Sequence, residues 1–162
     1  MREKTRAPTT DKLENDENFP FIDLVDMART QFLTFLKMAG FSSTKQSCVF
    51  GSHYLYMILK RFGDPELRVS IVSGGSDKTT GFRTNDGVIH KHMWVQCALD
   101  GQTWVADITA DQFGFAPVCY VKLSDAQSAF LADELAITES LLENMHRDDE
   151  VLRKMFNVGL KD

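Results

Sequence analysis

His92-Met93-Trp94-Val95-Gln96-Cys97-Ala98-Leu99-Asp100-Gly101-Gln102-Thr103-Trp104-Val105-Ala106-Asp107 is the stretch on which the fold turns. Asp100-Gly101 favours the positive φ values of a type I′ turn and lies between two runs rich in strand formers, Val88 to Leu99 and Gln102 to Ile108. That pattern predicts a two-residue β-hairpin. In its register Leu99 faces Gln102 and Trp94 faces Asp107. Side chains alternate along a strand, so His92, Trp94 and Asp107 fall on one face. His92 is then the diagonal neighbour of Asp107, about 7 Å away between Cα atoms and nearer at the side-chain tips, within reach for a carboxylate to orient an imidazole. The opposite face collects Met93, Val95, Cys97 and Leu99 with Trp104, Ala106 and Ile108, a coherent apolar surface. A one-residue slip would send Asp107 into that surface, so the hydrophobic pattern supports the register.

A thiol joins the imidazole and the carboxylate from upstream. Gln46-Ser47-Cys48 ends a polar stretch, and Val49 to Phe62 is a largely apolar and aromatic run stopped by Gly63, as expected of a mostly buried helix. A thiol in its first turn meets the positive end of the helix dipole, which favours the thiolate. The backbone N–H groups there, joined by the Gln46 side chain, would also hold a developing oxyanion. Cys48, His92 and Asp107 thus supply a nucleophile, its base and the base's orienter. The local pattern does not place the helix end against the hairpin.

The motifs His92-Met93-Trp94-Val95, Asp100-Gly101-Gln102-Thr103-Trp104 and Asp107-Ile108-Thr109-Ala110-Asp111-Gln112-Phe113 resemble the His-x-Trp-Val, Asp-Gly-x-x-Trp and Asp-x-Thr-x-x-Gln-Phe pattern of transglutaminase-like and papain-fold cysteine hydrolases, most closely bacterial papain-fold toxins and effector proteases. The likeness covers Cys48 to Phe113 in the family's Cys, His, Asp order. It implies Cys48 as nucleophile, His92 as base and Asp107 as orienter, with Trp94 and Gln112 in support. The chain departs from the family at Ile108, where Pro is common, and at Lys91 and Met93, where small residues are common. The short interval from Cys48 to His92 leaves room for little more than one helix and one strand.

The chain has 162 residues, enough for one substantial core, with 43% hydrophobic residues, 12 Phe and 25% charged residues. A net charge of −5 without an Arg-rich stripe argues against a nucleic-acid or anionic-membrane partner. Three cysteines form no disulfide framework, so free thiols in a reducing compartment are expected. No apolar run follows Arg2, Lys4 and Arg6, and none is long enough to span a bilayer. A cytoplasmic protein, or one secreted into a target cell by a signal-peptide-independent route, is the expectation.

Residues 1–18 are polar and charge-mixed and read as a disordered tail, leaving residues 19–162 as a single catalytic domain. Leu24, Met27, Ala28, Phe32, Phe35 and Leu36 recur at helical spacing between Phe21 and Met38. Leu67 to Ser73 reads as a strand, Gly74 to Gly87 as a polar loop flanking the site, and Val118 to Leu123 as another strand. Ser124 with Gln127 offers a capping box for a helix running to about Met145, and a last helix spans Asp148 to Phe156. The fold class is therefore α+β, with helices before and after a small, mainly antiparallel sheet. The resemblance makes it a papain/transglutaminase-like fold.

Each singled-out residue has a plainer interpretation. A Cys on an apolar helix is usually a small buried hydrophobe, and Cys97 and Cys119, in predicted strands, are expected to be structural. Trp94 would serve the core or shield the His92 and Asp107 pair from water. Gln112 and Phe113 would end a strand. His53 would be packed, and His146, in a charged helix end, would lie at the surface. His90 and His92, alternating on one strand face, would ligate zinc or iron with Cys48 or Asp107, but no further ligand-spaced cluster is present. No metal and no cofactor is expected.

The chemistry expected is thiol-dependent acyl transfer on amide bonds by a peptidase, amidase or glutamine deamidase. Transfer of the same acyl-enzyme to an amine would make it a transglutaminase or acyltransferase. The resemblance implies a protein or peptide substrate and leaves room for an immunity or inhibitor protein. A non-catalytic binding module on the same fold is the alternative of a different class.

Overall fold

The computed structural model describes residues 13–133. In chain order these form helix α1 (Ile22–Met38), helix α2 (Cys48–Phe62), strands β1 (Arg68–Gly74), β2 (Gly81–Arg83), β3 (Ile89–His90), β4 (His92–Leu99) and β5 (Gln102–Asp107), a 3-10 turn (Ala110–Phe113), strand β6 (Cys119–Lys122), a single helical turn α3 (Leu123–Ala126) and strand β7 (Phe130–Leu131). This is an α+β arrangement around a small antiparallel sheet.

In α1 the helical spacing of Val25, Ala28, Phe32 and Leu36 buries one face. The helix stops at Gly40, whose φ of 88° lets the N–H of Phe41 return to the carbonyl of Leu36. In α2 the buried face carries Phe50, Leu55, Ile58 and Leu59, and the Phe32 and Phe50 rings stack at 5.1 Å.

The main sheet runs β1-β4-β5-β6 with every neighbouring pair antiparallel. Asp100 and Gly101 have φ values of 50° and 75°, the two positive angles a type I′ turn requires. Leu99 pairs with Gln102 and Val95 with Ala106, the register expected from the alternation. Met93, Val95, Cys97, Trp104 and Ala106 therefore face α1 and α2, while Val72, Trp94, Val105, Cys119 and Val121 face away from them.

That second face is covered by a small sheet of order β3-β2-β7. Three expectations change here. The segment from Gly74 to Gly87 is not all loop: Phe82 is fully buried on β2 and draws that part of the chain into the second sheet. The expected strand Val88 to Leu99 divides at Lys91, because β3 pairs with β2 whereas β4 pairs with β1. Helix α3 ends at Ala126 and the chain turns to pair Phe130 with Phe82, so no continuous helix starts from Ser124. Buried Ala126, Ala129 and Phe130 join the core at that turn, which a continuing helix would not allow. The remainder of that expected helix, the Asp148 to Phe156 helix and His146 lie outside the described residues.

Part of the expected N-terminal tail, residues 13–18, is among the described residues. Asn15 and Asp16 bond to β6: the Asp16 N–H donates to the carbonyl of Tyr120, the Tyr120 N–H to Asn15 Oδ1, and Asn15 Nδ2 to the carbonyl of Val118. Backbone groups of the sheet edge thereby gain partners from two polar residues of that segment. Residues 1–12 lie outside the description.

Candidate active site

The site sits where three elements begin or end. His92 opens β4, Asp107 closes β5, and Cys48 opens α2. The hairpin brings the first two together as expected: His92 Nε2 lies 2.6 Å from Asp107 Oδ2, with both side chains nearly inaccessible to water. The other carboxylate oxygen, Oδ1, accepts the Thr109 backbone N–H at 2.8 Å and the Thr109 hydroxyl at 3.0 Å. Thr109 thus fixes the carboxylate plane that orients the imidazole. A Thr two residues after an Asp is a turn signature the sequence carried, and Thr109 went unassigned there.

Burial alone pulls the His92 pKa down, and it is the largest single influence. The charge and hydrogen bond of Asp107, followed by the Cys48 thiol, outweigh it and raise the imidazole from 6.5 to about 9. The Cys48 thiol is thus among the groups that favour the charged ring, after Asp107. Nδ1, the nitrogen Asp107 does not use, has no hydrogen-bond partner among the described residues, the Cys48 sulfur included.

Two residues one turn into α2 explain why its first residue reaches the hairpin. Ser52 Oγ donates to the carbonyl of Met93 at 2.8 Å, pinning the helix beside His92. Gly51 packs so tightly that a Cβ there would lie 2.4 Å from Thr109 Cγ2. A glycine inside an apolar helix often marks such an approach, and it was the available signal for this contact. Ser47, the N-cap residue, spends its hydroxyl on the carbonyl of Thr44, leaving the first N–H groups of α2 without a side-chain cap.

The other expected residues divide. Trp94 is fully buried, and its ring lies 6.0 Å from the imidazole, nearly parallel to it. Gln112 is in the 3-10 turn rather than at a strand end: its Nε2 donates to the carbonyl of Thr109 and its Oε1 accepts the backbone N–H of Gln46. Gln46 is exposed and holds a φ of 63°, and the bond assigned to it is this backbone one.

Sequence reasoning missed the aromatic enclosure of His92. Phe113, Phe82 and Phe130 lie at 5.0, 5.7 and 6.4 Å from its ring, completing with Trp94 a water-excluding surround. His90 belongs to β3 and stacks on Phe113 at 4.9 Å. Among the described residues no three His, Cys, Asp or Glu side chains are grouped as a metal ion requires. Burial raises the Cys97 thiol to about 12, and burial with the charge of Asp107 raises that of Cys119 as well. Cys48 is the one of the three cysteines that is partly exposed.

No protein-family model, curated protein or solved structure matches this chain. Among the described residues no helix is long and apolar enough to cross a membrane.

Proposed function

We propose that this protein is a cysteine hydrolase of papain/transglutaminase-like type that attacks amide bonds in a protein or peptide substrate. One observation carries this: a single buried imidazole is held at Nε2 by Asp107, beside the start of the helix that carries Cys48. The Cys48 thiolate attacks the amide carbonyl, and the first N–H groups of α2 stabilise the oxyanion. The His92 imidazolium protonates the departing amine, or ammonia where a glutamine side chain is the substrate, as the C–N bond breaks. Water then attacks the thioester while His92 takes its proton, releasing the carboxylic acid and the free thiol. An amine replacing that water would make the same intermediate a transamidation.

Alkylation by iodoacetamide near neutral pH, followed by peptide mapping, tests the proposal. Cys48 should react well ahead of the buried Cys97 and Cys119, and His92→Ala should slow Cys48 itself. Equal labelling of all three, or a Cys48 rate unchanged in His92→Ala, would end the catalytic case. Intact-mass measurement of candidate substrates then separates cleavage, deamidation and crosslinking, each of which should vanish in Cys48→Ala; an effect that persists there would instead favour a binding module.

A further inference from the structure

We infer that Asp111, acting through Thr44 and Arg29, is a positioning residue that sets the distance between the Cys48 thiol and His92; this rests on the cysteine-hydrolase proposal. Asp111 lies in the 3-10 turn just after Asp107 and Thr109. Its Oδ1 accepts the Thr44 hydroxyl at 2.8 Å and Arg29 Nη1 at 3.1 Å, and its Oδ2 accepts Arg29 Nη2 at 2.7 Å. Arg29 Nη1 also donates to the carbonyl of Ile108 at 2.6 Å, next to Asp107. On the other side, the Thr44 carbonyl accepts the N–H and hydroxyl of Ser47, the residue before Cys48.

A continuous set of polar contacts thereby runs from the residue after the orienting carboxylate to the residue before the nucleophile. The bond from Gln46 N to Gln112 Oε1 ties the same two segments a second time. Thr44 separates this network from an ordinary ion pair joining α1 to the 3-10 turn. It belongs to neither element, it is buried, and it sits on the loop that delivers Cys48. That loop holds Gln46 in the left-handed region, a conformation a side-chain-bearing residue keeps only when its surroundings enforce it. Contacts made with a carboxylate and a guanidinium are the stronger kind of hydrogen bond, suited to that task.

The full-length chain tests this through the rate of Cys48 alkylation as a function of pH, with thermal unfolding recorded for every variant. Thr44→Val keeps the side-chain shape and removes the hydroxyl. It should slow alkylation by roughly tenfold at about pH 7 and at about pH 6. Thr44→Ser should restore both, and Asp111→Asn should show a loss of the same kind. Wild-type rates and profile in Thr44→Val and Asp111→Asn, with His92→Ala still slow, overturn the inference and leave the hydrolase proposal standing. A loss that tracks thermal stability alone and is not rescued by Ser also overturns it. An unaltered rate in His92→Ala removes the proposal on which the inference rests.

Discussion

Replacing Gly51 by Ala should separate the two halves of the candidate site without removing any of its polar groups. The new Cβ would lie 2.4 Å from Thr109 Cγ2, about 1 Å short of the 3.4 Å at which ordinary contact begins, with Phe32 Cζ already at 3.3 Å. Thr109 cannot simply turn away, because its hydroxyl and N–H both hold Asp107. Phe32 is fully buried in the core below. The strain is relieved either by displacing the start of α2 from the end of β5 by roughly 1 Å, or by turning Thr109 and releasing the carboxylate. Overpacking of this size typically costs about 1–3 kcal/mol of stability. A displacement near 1 Å between reacting groups can cost about a hundredfold in rate. Urea denaturation should register the first effect and Cys48 alkylation below neutral pH the second. Wild-type alkylation in Gly51→Ala, in a protein destabilised by about 1–3 kcal/mol, would refute the claim that close helix approach places the sulfur.

Two further outcomes follow from the imidazole and its surround. The His92 pKa is raised from 6.5 in the unfolded chain to about 9, so the stabilisation it contributes is full below pH 6.5 and is lost as pH rises through 9. The full effect is on the order of 3 kcal/mol. Urea midpoints measured across that window, alongside NMR titration of the ring, should fall with rising pH and lose this dependence in Asp107→Asn; a flat or rising wild-type profile would contradict the coupling. Phe82→Ala should cost about 3–5 kcal/mol by chemical denaturation, since it empties a fully buried site between both sheets and the imidazole. A loss below about 1 kcal/mol would show that the second sheet does not seal His92.

The hairpin was legible because its information is local. Asp100-Gly101 specifies the turn, the period-two pattern specifies the faces, and the closeness of His92 and Asp107 follows from the two together. The second sheet was not. Strand β2 is three residues long in a polar stretch and β7 only two, too short for a periodic signal, and what commits them is burial of Phe82 and Phe130 against each other and His92. The same burial overrode the capping pattern at Ser124 and Gln127. Polarity suggested disorder up to residue 18, yet Asn15 and Asp16 are polar because they serve a strand edge. Approach of the start of α2 to the hairpin belongs to the tertiary level as well. It depends on the missing side chain at Gly51 and the hydroxyl of Ser52, which no local pattern assigns to a hairpin distant in sequence.

Strand β6 is the last in its sheet, and its outer rim is occupied by Asn15 and Asp16. Trimming the chain to residue 19 would unmask the amide and carbonyl of Tyr120 beside the apolar patch of Phe19 and Trp104. A bare rim of that kind recruits strands from other molecules. Versions of this protein shortened past Asn15 and Asp16 should therefore self-associate more readily than the full chain, which size-exclusion chromatography would register.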